Sequence, residues 1–186
     1  MTLNAQQLRK FAKAIYDIAC AHGWHEEKKP DELWLCLVMT EIAEAVEADR
    51  KGCRADTEMF KDVLRTKGVF EDDSFKEHYK QIIKGTIEEE LADIVIRLLD
   101  FANEKYGDSM DWDRHFGEVS VLTEPFPVNA WNLVKYKLFS TQSELLDSIY
   151  FVYGMANQLD IDLDQHIVWK MRYNECREYK HGGKAY

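Results

Sequence analysis

Residues 85–107, "GTIEEELADIVIRLLDFANEKYG", decide the fold class. Thr86 and Glu89 stand in capping-box spacing at its start, and Gly107 closes it, so the segment reads as one long helix. The helix is apolar apart from its acidic first turn and a stripe of Glu90, Asp93, Arg97 and Asp100 at helical spacing. The stripe admits two readings: the solvated face of an amphipathic helix, or a set of acids aimed at a ligand. Glu89 and Glu90 also lie in the first turn, where the helix dipole favours acids for stability alone.

Working outward, the neighbouring segments are helical too. "AQQLRKFAKAIYDIACAHG" (5–23) carries Leu8, Phe11, Ile15 and Ile18 at helical spacing and stops at Gly23. Pro30-Asp31 opens "DELWLCLVMTEIAEAVEADRKG" (31–52), and residues 55–83 are polar and broken, as one or two shorter helices would be. "EPFPVN" (124–129) is the only proline cluster and reads as a turn. Thr141 and Glu144 form a second capping box at the head of "TQSELLDSIYFVYGMANQL" (141–159), and a last helix spans roughly 163–177. Period-2 alternation is absent, so the expected fold is all-α, a helical bundle.

A weak internal repeat crosses this pattern. "ELADIVIRLLDFAN" (90–103) lies without gaps over "ELLDSIYFVYGMAN" (144–157), and "DWDRH" (111–115) resembles "DLDQH" (162–166). The repeat reads as a duplicated helical hairpin or as chance similarity between amphipathic helices. Only the first copy keeps its polar stripe: Phe151 and Gly154 replace Arg97 and Asp100, and Glu144 and Asp147 read as capping residues rather than a second metal site.

Composition narrows the functional classes. With 186 residues and 46% hydrophobic content the chain can bury one good core. A net charge of −10 argues against a general nucleic-acid binder. No apolar run approaches about 18 residues, so no membrane span is expected. Cys20, Cys36, Cys53 and Cys176 show no CxxC pairing, and no secretory signal is read at the N-terminus; they read as reduced thiols of a cytoplasmic protein.

Within this acidic chain, "MTEIAEAVEADRKG" (39–52) places Glu41 and Glu44 beside Leu37, Val38, Ala45 and Ala48. Carboxylates three apart on a helix converge on one point, and Glu90 and Asp93 repeat the spacing. If the two helices pack, four acids meet; their mutual repulsion would raise their proton affinity unless a cation intervened. Mg²⁺, which takes hard oxygen ligands from carboxylates and phosphates, is the expected cofactor, with Mn²⁺ as an alternative occupant.

Glu41-Ile42-Ala43-Glu44 followed by Glu90-Leu91-Ala92-Asp93 resembles the paired ExxE and ExxD motifs of the all-α nucleoside triphosphate pyrophosphohydrolases of the MazG-like superfamily, relatives of dimeric dUTPase and dCTP pyrophosphatase. The resemblance extends upstream through "HGWHEEKKPDELWLCLVMTE" and downstream through "DIDLDQHIVWKMRYNECREYKHGGKAY". Thr40 stands where the family often has a further Glu, and the spacing between the motifs is longer than usual. The resemblance implies a single domain over 1–186, with insertions at roughly 53–84 and 108–140. It also implies that Glu41, Glu44, Glu90 and Asp93 bind Mg²⁺ and carry catalysis. A triphosphate would be attacked at its α-phosphorus, releasing a nucleoside monophosphate and pyrophosphate. A homo-oligomer, dimer or tetramer, is implied as well.

The closing helix fits a second role. Lys170, Asn174 and Arg177 share one helix face, and with Lys184 they are candidates to hold phosphates or sugar; cations near a helix C-terminus also serve the dipole alone. "HGGK" (181–184) is not a P-loop, lacking the preceding glycine and the following Ser/Thr. Trp24, Trp34 and His25 are candidates to contact the base, although aromatics at helix ends are commonly core residues. Arg97 and Asp100 read as a polar layer supporting the site. Two other classes compete. A di-iron carboxylate bundle needs ExxH pairs on two helices, and the only ExxH is Glu178–His181 in the tail. A catalytically inactive helical nucleotide-binding or interaction protein would keep the fold without the turnover.

Overall fold

The structure, a computed structural model, describes residues 4–66, 71–114, 119, 122–183 and 185. In chain order its helices are α1 (Ala5–Ala21), α2 (Asp31–Lys51), α3 (Thr57–Thr66), α4 (Asp72–Ile82), α5 (Ile87–Tyr106), α6 (Phe126–Tyr136), α7 (Gln142–Gln158) and α8 (Leu163–Glu175). No strand occurs among the described residues, and the all-α expectation holds. None of the described helices is long and apolar enough to cross a membrane.

Helix α5 is the axis. Fourteen of its 20 residues are buried, and α1, α2, α7 and α8 all pack on it. A helix buried nearly all round must satisfy any polar group it carries from its neighbours, and this is what makes the Glu90–Asp100 stripe informative. Around it, α1 contributes Leu8, Phe11, Ala12 and Ile15, and α2 contributes Trp34, Val38, Ile42, Ala45 and Ala48.

The termini follow local rules. The Asn4 side chain accepts from Gln6 N at 2.8 Å, Pro30 precedes α2 with Asp31 and Glu32 in its first turn, and Gly52 ends α2 with φ +67°. Thr141 and Glu144 make the full capping box that their spacing predicts. At α5 only half of the box forms. Thr86 accepts from the Glu89 N–H, while the Glu89 carboxylate accepts from Gly85 N at 2.5 Å instead of reaching Thr86. "EPFPVN" is more than a turn: Pro125 caps α6 and Pro127 sits in its first turn, where a missing N–H costs nothing.

The 53–84 segment folds as the two short helices α3 and α4, and it builds a second apolar cluster. Phe60, Phe75, Tyr79 and Ile83 enclose Trp169 and Tyr173 of α8, with Phe60 edge-on to Trp169 at 4.8 Å and Tyr79 stacked on Tyr173 at 4.5 Å. One face of α8 is thereby clamped, and Lys170 on another face reaches Glu89 and Asp93 of α5. The helix ends at Glu175, so Arg177, expected on the same helix face, lies past its end.

Candidate active site

Between α1, α2, α5 and α8 lies a cavity of about 640 Å³, within the range of small-molecule sites. Glu41, Glu44 and Asp93 line it, as do Trp24, Asn174, Arg177 and Lys170. Lys184 lies outside the described residues.

Of the four acids in the paired motifs, three meet. Glu41, Glu90 and Asp93 each bring one carboxylate oxygen within 4.8 Å of the others, with Glu41 and Glu90 buried. Glu44 lines the same cavity but is exposed and stands outside that trio. Burial, then the charge of Asp93, pushes Glu41 up to about 7, against the pull of Arg97, whose Nε lies 3.2 Å from Glu41 Oε1. Burial, then Asp93 and Glu89, pushes Glu90 up to about 9. Oε2 of Glu90 is buried without a hydrogen-bond partner. Three converging carboxylates, one with an orphaned oxygen, suit a hard divalent cation.

The three consecutive glutamates 88–90 look alike in sequence yet have different fates. Glu88 accepts from Arg54 Nε at 2.6 Å and from Ala55 N at 3.0 Å, tying α5 to the chain ahead of α3. Glu89 accepts from Lys170 Nζ at 2.5 Å. Glu90 faces the trio. Lys170 itself is 7% exposed and also lies 2.6 Å from Asp93, so its ammonium bridges the buried Glu89 and the half-buried Asp93. Desolvation alone would lower its proton affinity, but Asp93 and Glu89 reverse the sign and hold it charged.

A polar layer continues from this cluster along α5. His25 Nε2 lies 2.9 Å from Asp100 Oδ1 and Nδ1 lies 3.1 Å from Glu104 Oε2, and the Tyr16 hydroxyl donates to Glu104 at 3.1 Å. The His25 side chain is 5% exposed and stacks on Trp34, which stacks in turn on Phe101. His25 and Trp34 are therefore interior residues, and of the three aromatic candidates only Trp24 lines the cavity.

Sequence reading passed over Glu89 and Lys84, which also line the cavity. Glu89 carries one available signal, since it lies four before Asp93 on the same helix face. Lys84 sits in the segment that reads as an insertion and gave no signal.

The fold is an all-α bundle that brings three acids to one point, with Lys170 of α8 beside them. The family model of phosphoribosyl-ATP pyrophosphohydrolase matches residues 8–168, and the chain belongs to that family, within the MazG-like all-α superfamily. Membership places it among the pyrophosphohydrolases, which act on phosphoric anhydrides. No curated protein and no solved structure gives a significant match to the chain.

Proposed function

We propose that the protein hydrolyses a nucleoside or deoxynucleoside triphosphate, with Mg²⁺, to a monophosphate and pyrophosphate. The observation that carries this reading is the Glu41–Glu90–Asp93 cluster, with its orphaned oxygen, beside a nucleotide-sized cavity. The family's name adds phosphoribosyl-ATP, which offers the same triphosphate to the same chemistry.

Glu41, Glu90 and Asp93 would hold the cation, with Glu44 at the cavity mouth. Bound there, Mg²⁺ supplies charge neutralisation of the phosphate oxygens and a more acidic water. The protein's own groups do the positioning. Arg97 fixes Glu41, and Lys170 fixes Asp93 directly while also pairing with Glu89. Arg177 and Lys84 line the cavity as cations for phosphate oxygens, and Trp24 offers an aromatic face for the base.

Two further parts of the reading concern setting and assembly. All four cysteines are free, in keeping with a reducing cytoplasm. Val128 and Trp131, three apart on α6, are 41% and 61% exposed, a face suited to a second copy in a homo-oligomer, which light scattering would reveal. The function itself is tested by a panel of ribo- and deoxynucleoside triphosphates and phosphoribosyl-ATP with Mg²⁺. Release of monophosphate and pyrophosphate from at least one supports it, and turnover of none sinks it.

A further inference from the structure

Lys170, Met171, Asn174, Arg177, His181 and Ala185 line the cavity yet lie beyond residue 168, where the family match ends. The last three belong to a strap that leaves α8 and folds back on the turn between α1 and α2. Lys180 N donates to His22 O at 3.0 Å, and His22 Nε2 lies 3.0 Å from Arg177 O. Lys180 Nζ pairs with Glu26 at 2.9 Å, and the Tyr179 hydroxyl donates to the same carboxylate.

The backbone of the strap is unusual. Lys180, His181, Gly182 and Gly183 run at φ +44°, +50°, +85° and +89°. Left-handed backbone is unfavourable for Lys and His, so the conformation persists because the anchors at Arg177, Tyr179 and Lys180 impose it. Gly23, at φ +78°, belongs to the same fit: a Cβ there would collide with the Tyr179 ring. The result sets the His181 ring edge-on to Trp24, centroids 5.1 Å apart, with His22 at 5.9 Å. The cavity wall made by α2 and α5 carries acids, whereas the wall made by the strap and the turn carries aromatic rings.

We propose that this strap is the element that selects the nucleobase, with Trp24 packing on the base and the His181 imidazole reading its hydrogen-bonding edge. The proposal rests on the triphosphate reading above, since acids that engage the phosphates leave the aromatic wall for the base. An imidazole has one donor and one acceptor in its neutral form, so it distinguishes base edges that differ in polarity. The shared acids perform the chemistry, and a segment beyond the matched region sets the choice of substrate.

The test compares kcat/KM for ATP, GTP, CTP, UTP and their deoxy forms between the wild type and His181→Ala, with inorganic tripolyphosphate as a competitor that has no base. The ratio between the best and the worst base should shrink by about tenfold or more, the loss of one discriminating hydrogen bond. Inhibition by tripolyphosphate should stay within about twofold, a change too small to signal a lost phosphate contact. His181→Gly reads the same ratio if the alanine variant does not fold, because glycine adopts left-handed backbone freely and has no side chain to read the base. Equal loss for all bases, a parallel loss of tripolyphosphate affinity, or a wild type without base preference overturns the strap's role. Turnover by the wild type of none of these, and not of phosphoribosyl-ATP either, overturns the triphosphate reading instead.

Discussion

Glu90 sits where a carboxylate is least comfortable, 5% exposed, with a buried orphan oxygen and two acids beside it. The sign of its effect on stability follows from linkage. Without metal, the folded protein keeps protons on Glu41 and Glu90 that an unfolded chain, with carboxylates near 4.5, has released. Stability therefore falls as pH rises from 4.5, through about 7 for Glu41 and about 9 for Glu90. Glu90→Gln should melt above the metal-free wild type, and its advantage should widen between about pH 5 and about pH 8. A gap that does not change with pH would count against buried protonation. Lys170 carries the opposite prediction. Lys170→Met leaves the buried Glu89 and the half-buried Asp93 without their shared cation, and denaturant unfolding should show a loss of about 3–5 kcal/mol.

At the scale of elements, α8 works because its two faces have different partners. Trp169 and Tyr173 are clamped by α3 and α4, while Lys170 and Asn174 reach the cavity. Phe60, fully buried against Trp169, is the keystone of the clamp; Phe60→Ala should cost about 3–5 kcal/mol in equilibrium unfolding. A cost below about 1 kcal/mol, the range of surface substitutions, would show that α3 and α4 do not hold α8 in place. Part of this element was legible in advance, because helical spacing puts 170 and 174 on one face; α8 ends at Glu175, short of the expected 177, so Arg177 reaches the cavity from beyond the helix. The engagement of Lys170 was not, because Glu89 reads as a first-turn acid until the fold brings α8 beside α5. The same holds for His25. Its place beside Trp24 pointed toward a base, and partners on α5, Asp100 and Glu104, draw it inward instead. Local spacing reveals which side chains share a face, whereas burial and pairing depend on contacts far apart in sequence.

At the scale of the whole molecule, the proposed function has a chain of net charge −10 take an anionic substrate through a cation held by its own acids. Mg²⁺ should accordingly raise the melting temperature, and more strongly at pH 8 than at pH 6, since the folded acids must first lose their protons. No rise at either pH would argue that the trio holds no metal. The most direct test of the central claim is pyrophosphate release from a nucleoside triphosphate panel, followed with and without Mg²⁺ in the wild type, Glu41→Gln and Asp93→Asn. Mg²⁺-dependent formation of monophosphate and pyrophosphate by the wild type is expected, with each variant reduced by more than the 10- to 100-fold, roughly, that outer partners of a metal site contribute. Release of diphosphate and inorganic phosphate, or undiminished turnover in either variant, would contradict it.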